Sequence, residues 1–259
     1  MTSTLDVTVP ISVPRSPAAE PILRLRLGPC RLHLVPGDGP AWVSGTYVDK
    51  TGLLPLAIGV DGETTTISQR FDATSFSAVS APPLLDLAID RGVPLALVIE
   101  TGAGDNAFDL GGIPIVSLEV KAGAGRFDLD FSRPNPAELR SIELSAGAGQ
   151  LTARRLANGN FARLHVSAGM AASTIDLSGE LTRDGAVRLD AGLASVDVTV
   201  PATTAMRLRT KSFAAGTSVS GPIVRDGADY RTPAAVAGAH PLLTVEASIA
   251  LGELTIRAI

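Results

Sequence analysis

The sequence predicts an all-β protein: a right-handed parallel β-solenoid of about seven coils, capped by an antiparallel β insertion near the N-terminus. Three observations carry this. A glycine-centred corner recurs at Gly102, Gly123, Gly147, Gly169 and Gly192, at steps of 21, 24, 22 and 23 residues. Apolar residues alternate on both sides of each corner, as a strand with one buried face requires. The composition suits thin layers of short strands. Of 259 residues, 45% are hydrophobic but only 4% aromatic, and 26 Gly and 18 Pro favour turns over long helices.

Each coil has two arms. Val120-Lys121-Ala122-Gly123-Ala124-Gly125 leads to Phe127-Asp128-Leu129, and Leu144-Ser145-Ala146-Gly147-Ala148-Gly149 to Leu151-Thr152-Ala153. Ile99 to Gly104 leads likewise to Phe108, Val166 to Gly169 leads to Ile175, and Leu189 to Gly192 leads to Val196. From the last strong apolar residue of one arm to the first of the next, the steps are 9, 7, 7, 9 and 7. An odd step keeps both arms facing one interior, and a one-residue slip would turn the second arm inside out. On this reading the longer corners hold two extra residues. Glycine fits a corner because it permits close backbone approach and positive φ.

Two further copies flank these five. Leu23, Leu25 and Leu27 precede Gly28, with Leu32 and Leu34 beyond; Val245, Ala247 and Ile249 precede Leu254 and Ile256. Met206 to Gly221 reads as a degenerate copy with Arg207, Arg209 and Lys211 facing out. Successive coils would stack like strands about 4.8 Å apart, and the right hand follows from the general rule for parallel crossovers. A lone coil cannot offset its ordering entropy, about 1–2 kcal/mol per residue, so neighbours are essential.

Gly37 to Gly92 interrupts the series. Leu56 to Val60, Asp61-Gly62 and Glu63 to Ile67 predict a β-hairpin, since Asp-Gly favours its turn. Trp42 to Val48 would add a third antiparallel strand, and Phe71 to Pro83 a connecting loop. The expected organisation is an extension at 1–20, an N-terminal β section at 21–92 comprising the first coil and its cap, and solenoid repeats at 93–259.

Leu23 to Leu34, with Glu100-Thr101-Gly102-Ala103-Gly104 and Ala122-Gly123-Ala124-Gly125, resembles the toast-rack domain and the soluble region of LiaF-like, cell-wall-active-antibiotics response proteins and related adhesins. The likeness spans roughly Pro21 to Ile259. It implies a bacterial β-solenoid tied to the cell envelope or stress signalling, acting by protein contact, and it supplies no catalytic residues.

Candidate sites are few. Asp109, Asp128, Asp176 and Asp197 are predicted to share one outward column, a stripe that a cation or a basic partner would screen. A solvated face with nearby arginines accounts for the same residues. Gly28, Gly102, Gly123, Gly147, Gly169 and Gly192 are read as structural corners. On the first arm, Arg26, Glu100, Lys121, Ser145, Ser167, Asp190 and Glu246 form the expected outward column, with Glu100 over Lys121 as a complementary ladder pair. His33, His165 and His240 lack metal-ligand spacing, Cys30 sits at a corner after Pro29, and no nucleophile elbow or phosphate loop is present. No cofactor or resident metal is therefore expected.

The net charge of -4, without a basic run, disfavours nucleic acid. Met1 to Asp6 lacks the features of a signal peptide, and the greasy stretch Leu53 to Val60 falls short of the roughly 20 residues of a membrane span. A cytoplasmic chain without its own span is expected, reaching a membrane only through a partner. The leading expectation is a non-enzymatic scaffold or protein-interaction module. The alternatives are a self-assembling solenoid pairing through its final strand, Leu254 to Ile259, and a carbohydrate-binding or carbohydrate-acting β-helix.

Overall fold

Alternating apolar residues produce strands along nearly the whole chain, and the computed structural model describes residues 7–70 and 81–259. The N-terminal part forms β1 (Val7–Val13), β2 (Ile22–Leu27), β3 (Arg31–Gly37), β4 (Val43–Asp49), β5 (Leu56–Asp61), β6 (Thr64–Gln69) and β7 (Leu84–Asp90). Long bent strands follow: β8 (Leu95–Asp109), β9 (Ile115–Asp130), β10 (Leu139–Arg154), β11 (Phe161–Asp176), β12 (Gly185–Val200) and β13 (Ala205–Ser220). The short strands β14 (Val224–Asp226) and β15 (Asp229–Arg231), a single helical turn α1 (Pro233–Val236) and the long β16 (Leu242–Ala258) complete the chain.

From β8 to β12 each long strand bends at its glycine and stacks parallel on the next, in register apart from an irregularity at Leu95 and Ala96, and β12 stacks on β16. The first-arm interior is the column Leu25, Ile99, Val120, Leu144, Val166, Leu189 and Ala247. The second-arm interior is Leu34, Phe108, Leu129, Ala153, Ile175, Val198 and Ile256. All of these are at most 3% exposed, and each large side chain contributes about 1.5–3 kcal/mol by leaving water. The result is the predicted parallel β-solenoid, open on its third side, where loops return the chain to the next coil. Two asparagines pin those loops. Asn135 Nδ2 donates to Ile115 O at 2.8 Å, while Asn158 Nδ2 donates to Phe131 O at 2.9 Å and its Oδ1 accepts from Glu180 N at 2.8 Å.

The corners differ from the sequence reading in one respect. The inward column nearest the bend on the second arm runs Leu32, Asn106, Phe127, Leu151, Ser173, Val196 and Leu254. The bent strands therefore turn with equal spacing, and no coil carries two extra residues. The apparent step of 9 arose because Asn106 and Ser173, each 2% exposed, fill an inward position with a polar side chain.

The corner glycines line up along one edge. A Cβ on Gly102 would lie 3.1 Å from the Gly28 carbonyl oxygen, and one on Gly192 3.1 Å from that of Gly169. On Gly123, Gly147 and Gly169 it would press still closer on the preceding glycine's oxygen. Left-handed backbone belongs to the second glycine of the corner, with φ of 114° at Gly125 and 118° at Gly149.

At the N-terminal end, β2 and β3 form the first coil beneath β8, and β6 and β7 add a further parallel layer beyond it. The predicted hairpin is present as β5 and β6. β4 is antiparallel as expected, but it pairs with β7 and β1 on the second arm rather than with the hairpin. The predicted loop at 71–83 lies largely outside the described residues. A buried polar chain ties this section to the first coil: Gly28 N donates to Gln69 Oε1 at 2.8 Å and Gln69 Nε2 to the Tyr47 hydroxyl at 3.1 Å. The Tyr47 hydroxyl in turn donates to Leu54 O at 2.5 Å.

The C-terminal end corrects a second expectation. β16 does not form an edge: it lies between β12 and β13, bonded to both along its length. The outermost long strand is β13, whose first arm is covered by β15 and then β14.

Candidate interaction surface

The corrected register redistributes the predicted acidic stripe. One outward column runs His33, Ala107, Asp128, Thr152, Thr174, Asp197 and Thr255. Asp109 lies in the next column beside Asp130, and Asp176 there faces Thr199. Asp109, Asp128, Asp176 and Asp197 are thus split between two columns, and the expected Asp109–Asp128 and Asp176–Asp197 neighbours do not occur.

Each acid has a local partner. Asp109 accepts from Gly111 N at 2.9 Å and Ser132 Oγ at 2.7 Å, and Asp176 from Ser178 N and Oγ, both at 2.8 Å. Arg154 lies 3.4 Å from Asp128 and Arg257 3.3 Å from Asp197. Asp130 pairs with Arg155, yet burial pushes its carboxyl above the usual range. Among the described residues no cluster of three or more His, Cys, Asp or Glu is arranged to hold a metal ion.

The outer face of the first arm carries a more extended network. Its first column is Arg26, Glu100, Lys121, Ser145, Ser167, Asp190 and Ser248. Glu246, expected in that column, belongs instead to a second one: Glu119, Glu143, His165, Arg188, Glu246 and Arg209. Glu100 and Lys121 are in register, but Glu100 bonds Arg26 at 3.1 Å and Lys121 turns to Glu119 at 2.5 Å.

Sequence reasoning saw in His165 only a histidine without metal-ligand spacing. In the fold its Nδ1 lies 2.9 Å from Glu143 and its Nε2 2.9 Å from Asp190, while Arg188 reaches Asp190 at 2.6 Å. Burial works to raise the Asp190 carboxyl, but the Arg188 and His165 contacts outweigh it and hold it below its ordinary value. Only the alignment of coils brings these residues together, so no local motif announces them. Beside them is an open groove of about 370 Å³, walled by Glu143, Arg163, His165, Arg188 and Glu246 over a floor that includes Ala186.

Along the corner, the glycines leave a trough of about 500 Å³ between Ser167, Asp190 and Lys211 on its polar side and the exposed corner. The adjoining corner column changes from Ala124 and Ala148 to Met170, then to Leu193 and Leu251. Those last three are 66%, 58% and 51% exposed. His33 pairs with Asp86 and His240 with Asp184, each at 3.0 Å. Cys30 is buried, which pushes its thiol up to about 12, out of the range of a reactive thiolate.

Residues 3–154, more than half the chain, match the family described as the N-terminal domain of toast_rack, DUF2154. The chain belongs to the toast-rack family. Among solved structures, this toast-rack chain is similar to a "putative cell adhesion protein" of Clostridium sporogenes, with 12% identity over 98% of this chain and 100% of that one, at a TM-score of 0.51. That likeness concerns the fold alone. A "putative adhesin" of Bacteroides fragilis aligns over 98% of both chains with 9% identity and a TM-score of 0.38. A "putative lipid binding protein" of Parabacteroides distasonis aligns over 98% of this chain and 96% of that one, with 11% identity and a TM-score of 0.41. No curated protein matches. Among the described residues no helix is long and apolar enough to cross a membrane.

Proposed function

We propose that this toast-rack chain is a non-enzymatic protein-interaction module serving the bacterial cell envelope or its stress response. It would bind a protein partner through the outer face of its first arms. One observation carries the reading: the groove beside His165 has walls of both charge signs, Glu143 and Glu246 with Arg163 and Arg188, around the small outward side chain of Ala186. Mixed charge around a small uncharged side chain suits a folded or extended protein segment, whereas a polyanion would need a uniformly basic wall. The toast-rack family and the fold shared with a "putative cell adhesion protein" support the same direction.

A photo-crosslinking residue at Ala186, with Arg188→Glu as the companion variant, tests this in cells. A discrete protein adduct that Arg188→Glu weakens at least several-fold is expected. Adducts matching those from the remote exposed position Gln150, or unaffected by Arg188→Glu, would contradict it.

A further inference from the structure

The C-terminal end of the stack is finished over one arm and open over the other. Over the first arm of β13, β15 pairs Arg207, Leu208 and Arg209 with Arg231, Tyr230 and Asp229. Thr232 closes the start of the strand: its Oγ1 accepts from Met206 N at 2.9 Å and donates to Thr204 O at 2.7 Å. Over the second arm, Gly216 to Ser220, no described strand pairs with the outer edge. Thr217 and Val219 are in register with Leu254 and Ile256, which are 2% and 0% exposed. Yet Thr217 is exposed and Val219 only half-buried. Among the described residues, two interior columns therefore end without a strand beyond them, beside a row of backbone N–H and C=O groups that no described strand bonds.

We propose that this edge is a self-association surface, at which two copies of the chain pair Gly216 to Ser220 antiparallel about a two-fold axis and close a dimer. An isologous strand pair must tolerate itself. Gly216-Thr217-Ser218-Val219-Ser220 carries no charge, so no like charges face each other across the axis. Arg207, Arg209 and Lys211 lie earlier on the strand, away from the joint. A two-fold axis normal to the second-arm sheet keeps both interiors on one side, so each Val219 gains cover from its mate. It also sets the two hairpin caps at opposite ends of the joint.

The other end of the stack does not offer the complement that head-to-tail growth requires. Its outermost second-arm strand, β1, is antiparallel to its neighbour and carries Pro10 at mid-strand, which lacks an N–H. Symmetric closure is left. This surface is separate from the first-arm groove, so the crosslink at Ala186 and the dimer can fail independently.

Sedimentation of the full chain across a wide concentration range tests the proposal. Wild type is expected to convert from monomer to dimer. Ser218→Lys, which sets like charges across the joint, should weaken the dimer at least tenfold, while Thr8→Lys on β1 leaves it intact. A chain that stays monomeric throughout, a dimer indifferent to Ser218→Lys, or open-ended growth would overturn it. Should Ser218→Lys fail to fold, hydrogen exchange of wild type gives the answer. Protection of the Gly216 to Ser220 amides must rise with concentration, and protection independent of concentration rules the joint out.

Discussion

Gly125 and Gly149 sit where one methyl group decides whether a coil can turn. Both have φ well above zero, and a Cβ on either would run into the carbonyl oxygen of Gly104 or Gly125 in the coil before. The sequence drew attention to the first glycine of each corner, which serves close approach; the second carries the unusual backbone. Gly125→Ala should lower the unfolding free energy by about 1–3 kcal/mol. Gly59→Ala, with nothing within 4 Å of the added carbon, should stay within about 0.5 kcal/mol. Urea denaturation of both variants checks this, and equal effects would contradict it. Asp49 is a second residue of this kind. Burial acts to raise its carboxyl, but hydrogen bonds from Thr51 Oγ1 at 2.7 Å and Leu54 N at 2.8 Å win and hold it low. A depressed folded value stabilises above the unfolded carboxylate range near pH ~3.9, and that contribution fades as pH falls through the folded value. The stability gap between wild type and Asp49→Asn should therefore be full at neutral pH and shrink on acidification. A gap that does not change with pH would count against it.

The corners and both arms of the coils were legible because alternation and glycine spacing repeat five times, each copy correcting the others. Register within two coils was not, because Asn106 and Ser173 hide inward positions behind polar side chains. That slip produced the supposed acidic column; the charges around His165 lie on the first arm, where only the stacking of coils brings them together. β6 escaped notice as a layer for a related reason, since Thr64 to Gln69 buries only one large aliphatic residue, Ile67, whereas β7, with Leu85, Leu87 and Ile89 buried, was absorbed into the interruption at Gly37 to Gly92. Ser173 offers a test at this level. Its Oγ has no partner although the residue is 2% exposed between Leu151 and Val196. Ser173→Val removes an unsatisfied hydroxyl and adds apolar packing, and should stabilise by about 1–2 kcal/mol. A loss of stability in thermal or urea unfolding would mean that the hydroxyl is satisfied in solution.

At the scale of the molecule, the order of layers departs from the order of the chain. After β13 the chain builds the β14–β15 hairpin and α1, then returns to slide β16 beneath β13. Neighbouring repeats carry no label of adjacency, so sequence proximity suggested β12 beside β13. The side chains explain the exchange. β16 presents Leu243, Val245, Ala247 and Ile249 on one arm and Leu254, Ile256 and Ala258 on the other, an interior strand needing neighbours on both sides. β13 places Thr210 and Thr217 at inward positions, which suits a terminal layer.

Paired cysteines read this order directly. Ser195 on β12 faces Glu253 on β16, which in turn faces Gly216 on β13. Facing residues of parallel neighbours lie about 4.8 Å apart, inside the disulfide range of about 4.4–6.8 Å, and a second layer away is too far. Buried Cys30 does not compete. Under mild oxidation, Ser195→Cys with Glu253→Cys should form an intrachain disulfide, and Ser195→Cys with Gly216→Cys should not. The opposite pattern would contradict the stacked register on which the account rests.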